Sequence, residues 1–245
     1  MICQPIHQKS IPSSDIPSFI RYCEQGNRYD SLISIIPDGL KYPVYIRRAT
    51  SDVYNFLQVF EEREYDNMAT APNAVVDLGA YVGYVAVYFA TKYGSKVISV
   101  EPDLQNYMML LLNTSPYQSI NCINAGIWNS KCKLKISDKV GGDWGTIIDE
   151  DTSGNINGIT MMDVINDYHF SDIDFLKIDI EGSERDLFKL GTYENWVDIV
   201  KIVHCETHDR FRKGSSDAYR AAFNNERYSC EIINQAERYH KLEIR

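Results

Sequence analysis

The chain has 245 residues, of which 44% are hydrophobic and 24% charged, with a formal net charge of −9. That apolar content suffices for a normal core and excludes wholesale disorder, and the length suits one α/β domain with a decorated terminus. An acidic balance without a Lys/Arg cluster argues against a long nucleic-acid track, because phosphate binding depends on clustered cations.

Residues 1–30 are polar and punctuated by Pro5, Pro12 and Pro17, and are read as a short arm or helix over the core. Residues 31–48 alternate around Pro37 and Pro43, the pattern of one or two edge strands. Val53, Phe56, Leu57 and Phe60 recur at helical spacing, with Ser51 or Asp52 as cap. Residues 1–66 are therefore expected to form an arm and cap, and 67–245 a single core. That core opens at Ala74 with an apolar run through Leu78. A helix follows through Tyr84, Val85, Val87, Tyr88 and Phe89, with Gly94 as its stop. The second strand is Lys96–Val100. Pro102 and Asp103 then open a helix carrying Met108, Leu111 and Leu112, and the third strand is about Ile120 to Ala125.

Cys132–Ile136 alternates like an added strand. The glycine-rich tract from Gly141 to Gly158, which includes Trp144, reads as a mobile loop suited to closing over a ligand. A helix at Met161–Tyr168 leads to a fourth strand, Ile173–Ile178, and the fifth is Val200–Cys205. Ser215 or Ser216 caps a helix with Tyr219, Ala222 and Phe223. Tyr228–Ile233 and Leu242–Ile244 are the last predicted strands. Strands alternating with helices imply a parallel sheet of right-handed crossovers, with ligands beyond the carboxyl strand ends.

Cys3, Cys23, Cys122, Cys132, Cys205 and Cys230 are scattered without a C-x-x-C pair, as expected of a reduced cytoplasmic protein. No apolar run approaches the ~18 residues of a membrane span, so a soluble protein without a membrane partner is expected.

The chemistry concentrates at strand ends. The turn after the first strand has the form D-x-G-x-x-x-G: Asp77, Gly79, Ala80, Tyr81, Gly83. Glu101 ends the second strand 24 positions after Asp77, where a carboxylate can grip ribose hydroxyls. Ala80 and Tyr81 stand where a dinucleotide turn needs its second glycine. The turn thus suits a nucleoside without a pyrophosphate, and S-adenosylmethionine is the candidate. Asp77 suits the cofactor's ammonium, and Gly126 lets a flat adenine approach the backbone. Each of these glycines also reads as an ordinary turn residue.

The tract Asp174–Glu184 places Lys177, Asp179 and Glu181 on one parity, costly to bury unpaired. Lys177 has a structural role open to it, pairing with Asp77 on the neighbouring strand. His204, Glu206 and His208 share a parity on the fifth strand, with Glu206 expected beside Asp179. Asp179 and Glu181, with His208, are the candidates to orient or deprotonate an acceptor. Asp179, Glu206 and His208 are alternatively a site for Mg²⁺.

These blocks resemble the FkbM family of S-adenosylmethionine-dependent methyltransferases. The resemblance lies in VVDLGAYVGY, SVEPD, INAGIW and above all DFLKIDIEGSE, with YIRRATSD at 45–52 and the Phe60–Tyr65 segment as a lead-in. It covers roughly residues 41–210; Tyr81 departs from it, standing where the family commonly has Asn. The resemblance implies a Rossmann-like class I fold, a mostly parallel seven-stranded sheet with helices on both faces. It also implies O-methylation of a small-molecule hydroxyl, on a sugar, glycoside or natural-product scaffold. A homo-oligomer stays open. The competing readings are an NAD(P)-dependent oxidoreductase on the same topology and a non-catalytic nucleoside-binding protein.

Overall fold

The computed structural model describes residues 32–242 apart from 67, 141–144 and 224–225, so the arm expected at 1–30 lies outside the described residues. The first elements are β1 (Leu32–Ile35) and β2 (Val44–Arg47), an antiparallel pair forming a sheet of its own. A short helix α1 (Asp52–Phe56) continues as a π-helical turn over Leu57–Glu61.

The core then alternates. It runs through β3 (Ala74–Leu78), α2 (Tyr84–Tyr93), β4 (Lys96–Val100), α3 (Leu104–Thr114) and β5 (Ile120–Ile123). After an inserted sheet, α4 (Met161–Tyr168), β10 (Ile173–Ile178), α5 (Glu184–Leu187), β11 (Val200–Cys205) and α6 (Ser215–Phe223) follow. The chain closes with β12 (Tyr228–Ile233) and β13 (Ala236–Lys241). Local signals set many of these bounds. Gly94 ends α2 in the left-handed region, the Asp103 carboxylate caps two amides of α3, and Thr160 and Asp163 form a capping box on α4.

The main sheet has the order β5-β4-β3-β10-β11-β13-β12. β5, β4, β3, β10 and β11 are parallel, β13 is antiparallel to both neighbours, and β12 therefore runs with the majority. This is the Rossmann-like, mostly parallel seven-stranded sheet that was expected. The chain winds outward from β3 through β4 to β5, then restarts on the other side at β10. The switch point thus lies between β3 and β10, where ligands bind doubly wound sheets.

Alternation along each strand feeds two cores. Val76, Leu78, Leu176 and Ile178 pack with α4, α5 and α6 through Val164, Leu187 and Phe223. Val75, Val97 and Phe175 pack on the other face with Phe60, Val85, Phe89 and Met109, and the Phe89 and Phe175 rings lie 4.8 Å apart. Ile33, Val44, Ile46 and Phe56 belong to this second core, so the described part of 1–66 packs as one body with the sheet.

Two expectations need correction. The last strand is Ala236–Lys241, earlier than Leu242–Ile244. Its polar sequence hides the strand, because Arg238 and Tyr239 are buried by pairing with β11 and its neighbours. The tract expected as a mobile loop is largely strand: β8 (Gly145–Glu150) and β9 (Ile156–Ile159) join β6 (Gly126–Ile127) and β7 (Cys132–Val140) in the order β6-β9-β7-β8. Its glycines serve close packing: a Cβ on Gly158 would meet Cys132 Sγ at 2.6 Å, and one on Gly154 would meet the Leu134 carbonyl oxygen at 2.1 Å. Residues 141–144 of the tract, with Trp144, lie outside the described residues. Among the described residues no helix is long and apolar enough to cross a membrane.

Candidate active site

A cavity of about 740 Å³ opens at the carboxyl ends of β3, β4, β10 and β11. The turn Gly79-Ala80-Tyr81 forms its middle. A Cβ on Gly79, where φ is +74°, would sit 1.8 Å from the Asp179 carbonyl oxygen, so only glycine lets these two strand tips touch. Tyr81 also has positive φ, 50°, unusual for a bulky residue. Its amide donates to Glu101 Oε2 at 2.9 Å, and its hydroxyl donates to Asp52 Oδ1 at 2.5 Å. Asp52 is in turn gripped by Arg47, whose Nε and Nη2 donate at 2.9 and 2.8 Å and whose backbone amide donates at 2.8 Å. The same Nη2 reaches Asn106 on α3 at 2.9 Å. A network from the N-terminal hairpin thus holds the turn in its left-handed shape.

Glu101 is buried, and its second oxygen accepts from the Asp103 amide at 2.9 Å. Burial pushes its carboxyl up to about 8, against the opposing pull of the Asp103 and Tyr81 amides.

The opposite end is built by the tips of β10 and β11. Glu206 donates its amide to the Ile178 carbonyl at 3.0 Å, which sets its side chain beside Asp179. Past them, His208 turns Nε2 toward three carboxylates: Glu181 Oε2 and Glu206 Oε1 at 3.4 Å, and Asp179 Oδ1 at 3.8 Å. Its Nδ1 lies 3.1 Å from Glu184 Oε1. Burial opposes charge on this ring. Hydrogen bonds to Glu184 and Glu206 and the field of Asp179 and Glu181 overcome it and push the imidazole up to about 11. Glu181, also at positive φ (53°), is pushed up to about 8 by burial and by the Asp179 charge.

Lys177 joins the two ends. Its Nζ donates to the Gly79 carbonyl at 2.8 Å and lies 3.5 Å from Asp179 and 3.6 Å from Asp77. Burial works against its charge, but Asp179 and Asp77 prevail and raise its pKa.

Of the residues expected from the sequence, Gly79, Ala80, Tyr81, Glu101, Asp179, Glu181 and Glu206 line the cavity together. Four do not. Asp77 is fully buried beneath the floor and faces Lys177, so it does not reach a cofactor ammonium directly. Gly83 starts α2, and a Cβ there would meet Leu110 Cδ1 at 2.6 Å, making it a helix-packing glycine. Gly126 packs under Leu134 and Ile148, at 2.5 and 2.7 Å from an imagined Cβ, and meets no open space for an adenine. His208 lies behind the carboxylates and does not line the cavity itself.

Sequence reasoning missed Glu64. It lines the cavity wall, accepts from His204 Nε2 at 3.1 Å, and keeps Oε2 without a hydrogen bond. Arg238 from β13 donates to His204 Nδ1 at 3.2 Å, which fixes the tautomer that donates to Glu64. The lead-in Phe60–Tyr65 was the available signal for Glu64. Nothing in the sequence pointed to Arg238, or to Arg210 and Asn234 on the cavity rim. The wall carries Glu62, Glu64, Glu101, Asp179, Glu181 and Glu206 against Lys177 and Arg210, so acidic groups outnumber basic ones along it.

The family model described as methyltransferase FkbM domain matches residues 77–230, more than half of the chain. No curated protein matches. Among solved structures, the chain is similar to a methyltransferase FkbM from Methylobacillus flagellatus KT, with 16% identity and a TM-score of 0.49 over 73% of this chain and 46% of that one. The present chain thus spans less than half of that protein's length. It is also similar to an O-methyltransferase from Bacillus cereus solved with SAH, at 10% identity and TM-score 0.44, over 95% of this chain and 92% of that one. A Pyrococcus abyssi tRNA (uracil-54, C5)-methyltransferase gives 11% identity and TM-score 0.46, over 89% of this chain and 45% of that one.

Proposed function

The chain belongs to the FkbM methyltransferase family, and from that premise we propose that it transfers a methyl group from S-adenosylmethionine to a hydroxyl of a small, uncharged acceptor. A sugar, glycoside or hydroxylated natural-product scaffold fits that description. The observation that carries this reading is one cavity with Glu101 at one end and Asp179, Glu181 and Glu206 at the other, joined by the opened turn Gly79–Tyr81. At about 740 Å³ it has room for a nucleoside donor and a modest acceptor together.

Glu101 takes the ribose hydroxyls, its remaining lone pairs facing the cavity beside the Tyr81 amide. The acidic excess along the wall favours a sulfonium and disfavours an anionic acceptor such as a phosphate chain. Asp77 acts through Lys177, which ties β3 to β10 and sets the spacing of the two ends. Asp179 is the most exposed carboxylate of the cluster, with 35% of its side chain accessible, and takes the acceptor proton. The acceptor oxygen then forms its bond to the methyl carbon as the carbon–sulfur bond breaks, and that electron pair returns to a neutral thioether. Holding oxygen, carbon and sulfur in line is the main task, and alignment of this kind supplies about 7–11 kcal/mol in favourable cases.

Calorimetry with S-adenosylmethionine and its demethylated product should show one binding event per chain, and NAD(P)H should show none. A screen of glycosides and hydroxylated metabolites with radiolabelled methyl donor should then find the acceptor. Asp179→Asn should abolish turnover and spare most cofactor binding. Uptake of NAD(P)H in place of the sulfonium would favour the oxidoreductase. Cofactor binding with turnover insensitive to Asp179 would remove that residue from the chemistry.

A further inference from the structure

We propose that His208 Nε2, giving up its proton to solvent on binding, joins Asp179, Glu181 and Glu206 in holding a divalent transition-metal ion of the Mn²⁺, Fe²⁺ or Zn²⁺ class at the acceptor end of the cavity. The carboxylates and the imidazole come from two strand tips, β10 and β11, and converge on one ring nitrogen. Asp179, Glu206 and His208 each offer a ligand atom within 4.8 Å of the others. Glu181 Oε2 and Glu206 Oε1, at 3.4 Å from Nε2, already stand at ligand-to-ligand separation, since bonds of about 2.0–2.2 Å to one ion set neighbouring ligand atoms roughly 3–3.5 Å apart.

Two further observations point to a ligand there. Glu181 is only 9% exposed, and its Oε2, 3.4 Å from His208 Nε2, makes no hydrogen bond, because one ring proton cannot serve the three carboxylates that face it. A buried polar atom left this way is costly unless something else satisfies it. Secondly, fully buried Glu184 holds His208 Nδ1 at 3.1 Å from its Oε1. A carboxylate fixing one ring nitrogen so that the other faces ligands is the orienting arrangement found behind metal-bound histidines. The backbone is committed to this shape as well, with Glu181 and Gly182 at φ 53° and 98° and Ser215 Oγ donating to the Gly182 carbonyl at 3.1 Å.

The donor set decides the ion. Mg²⁺, considered from the sequence, demands near-ideal octahedral oxygen coordination and keeps several waters. One imidazole and three carboxylates suit borderline transition ions better. The ion's task rests on the methyl-transfer reading: it would bind the acceptor oxygen and ease loss of its proton to the free oxygen of Asp179. Its binding does not rest on that reading, so the experiment measures binding alone.

Chelator-treated full-length protein is titrated with MnCl₂, followed by calorimetry and by loss of the free Mn²⁺ electron-spin-resonance signal. One saturable site per chain is expected, with Zn²⁺ competing and Mg²⁺ at least tenfold weaker. His208→Ala should abolish the site. Glu184→Gln, which keeps the shape and touches no ion, should weaken it 10–100-fold, and exposed Glu150→Gln should leave it unchanged. Circular dichroism and thermal melting verify that each variant folds. Absence of saturable Mn²⁺ uptake, Mg²⁺ bound as tightly as Mn²⁺, or equal affinity in folded His208→Ala overturns the proposal. Failure to bind S-adenosylmethionine with intact Mn²⁺ binding would strike the methyl-transfer reading instead.

Discussion

Tyr81 shows how a single side chain can hold a backbone shape that its own geometry disfavours. Asn tolerates positive φ better than Tyr, so a residue differing from the family's usual choice needs outside support. Its hydroxyl bond to Asp52, itself clasped by Arg47, supplies that support. Tyr81→Phe should therefore cost about 1.5–3 kcal/mol, the range for a hydrogen bond to a charged group, measured by urea unfolding. It should also weaken cofactor binding, because the Tyr81 amide positions Glu101. Glu101 makes the sign of a pH effect testable. Its folded carboxyl titrates near 8, above the ordinary value of 4.5. The stability tied to its protonated form is full below about 4.5 and is lost as pH rises through 8. Cofactor affinity should move the other way and grow through that window, because only the ionised carboxylate accepts from both ribose hydroxyls. Glu101→Gln should lose 10–100-fold in cofactor affinity yet gain stability relative to the parent between pH 5 and pH 9, as calorimetry and melting curves at both pH values would reveal.

At the scale of elements, the site is a contact between strand tips. β3 and β10 approach so closely that Gly79 faces the Asp179 carbonyl, and the Lys177 ammonium bolts the two together from below. Gly79→Ala must push the tips apart, beyond the strain of its positive φ, and should cost more than ~3 kcal/mol while abolishing cofactor uptake. Gly83→Ala also carries positive-φ strain (φ +88°) and meets the Leu110 and Thr114 side chains at 2.6 and 3.2 Å, and should cost about 2–4 kcal/mol with cofactor binding largely kept. The contrast separates a site glycine from a packing glycine that occupies the same motif. Thermal melting paired with binding titrations measures both. The inserted four-stranded sheet contributes Ile127, Thr146 and Ile148 to the cavity wall, so a tract rich in glycine serves here as structure.

For the molecule as a whole, segments far apart along the chain meet behind the cavity. Glu64 precedes β3, Arg238 lies on the last strand, and His204 bridges them from β11. Arg238 is 1% exposed, stacked over Phe175, and its Nη2 donates to the Glu64 carbonyl at 3.4 Å. Removing one member of a buried charged network leaves its partners uncompensated. Arg238→Met should therefore cost about 3–5 kcal/mol, read as a lower urea midpoint with a single transition because both cores share the central sheet. Glu64→Gln keeps an oxygen for the His204 bond but removes the charge beside Arg238, and should cost about 1–3 kcal/mol in the same unfolding measurement.

The sequence by itself determined the alternating strands and helices of the main sheet, from β3 to β5 and from α4 to β11, and their order along the chain, but not the strands β8 and β9 of the inserted sheet. Periodicity, caps and glycine stops are local, and DFLKIDIEGSE and SVEPD carried enough of their own chemistry to mark both ends of the cavity. Lys177 could be paired with Asp77 from parity alone, because neighbouring parallel strands keep register. Only the tertiary structure decided which members of those motifs reach open space. Asp77, Gly83 and Gly126 share motifs with cavity residues, yet depth within the fold assigns them to support. Burial also hid the last strand, since Arg238 reads as surface until His204 and Phe175 enclose it. Glu101 lies 20 positions from Tyr81, Glu184 24 from His208 and Arg238 174 from Glu64, and no local pattern encodes such meetings.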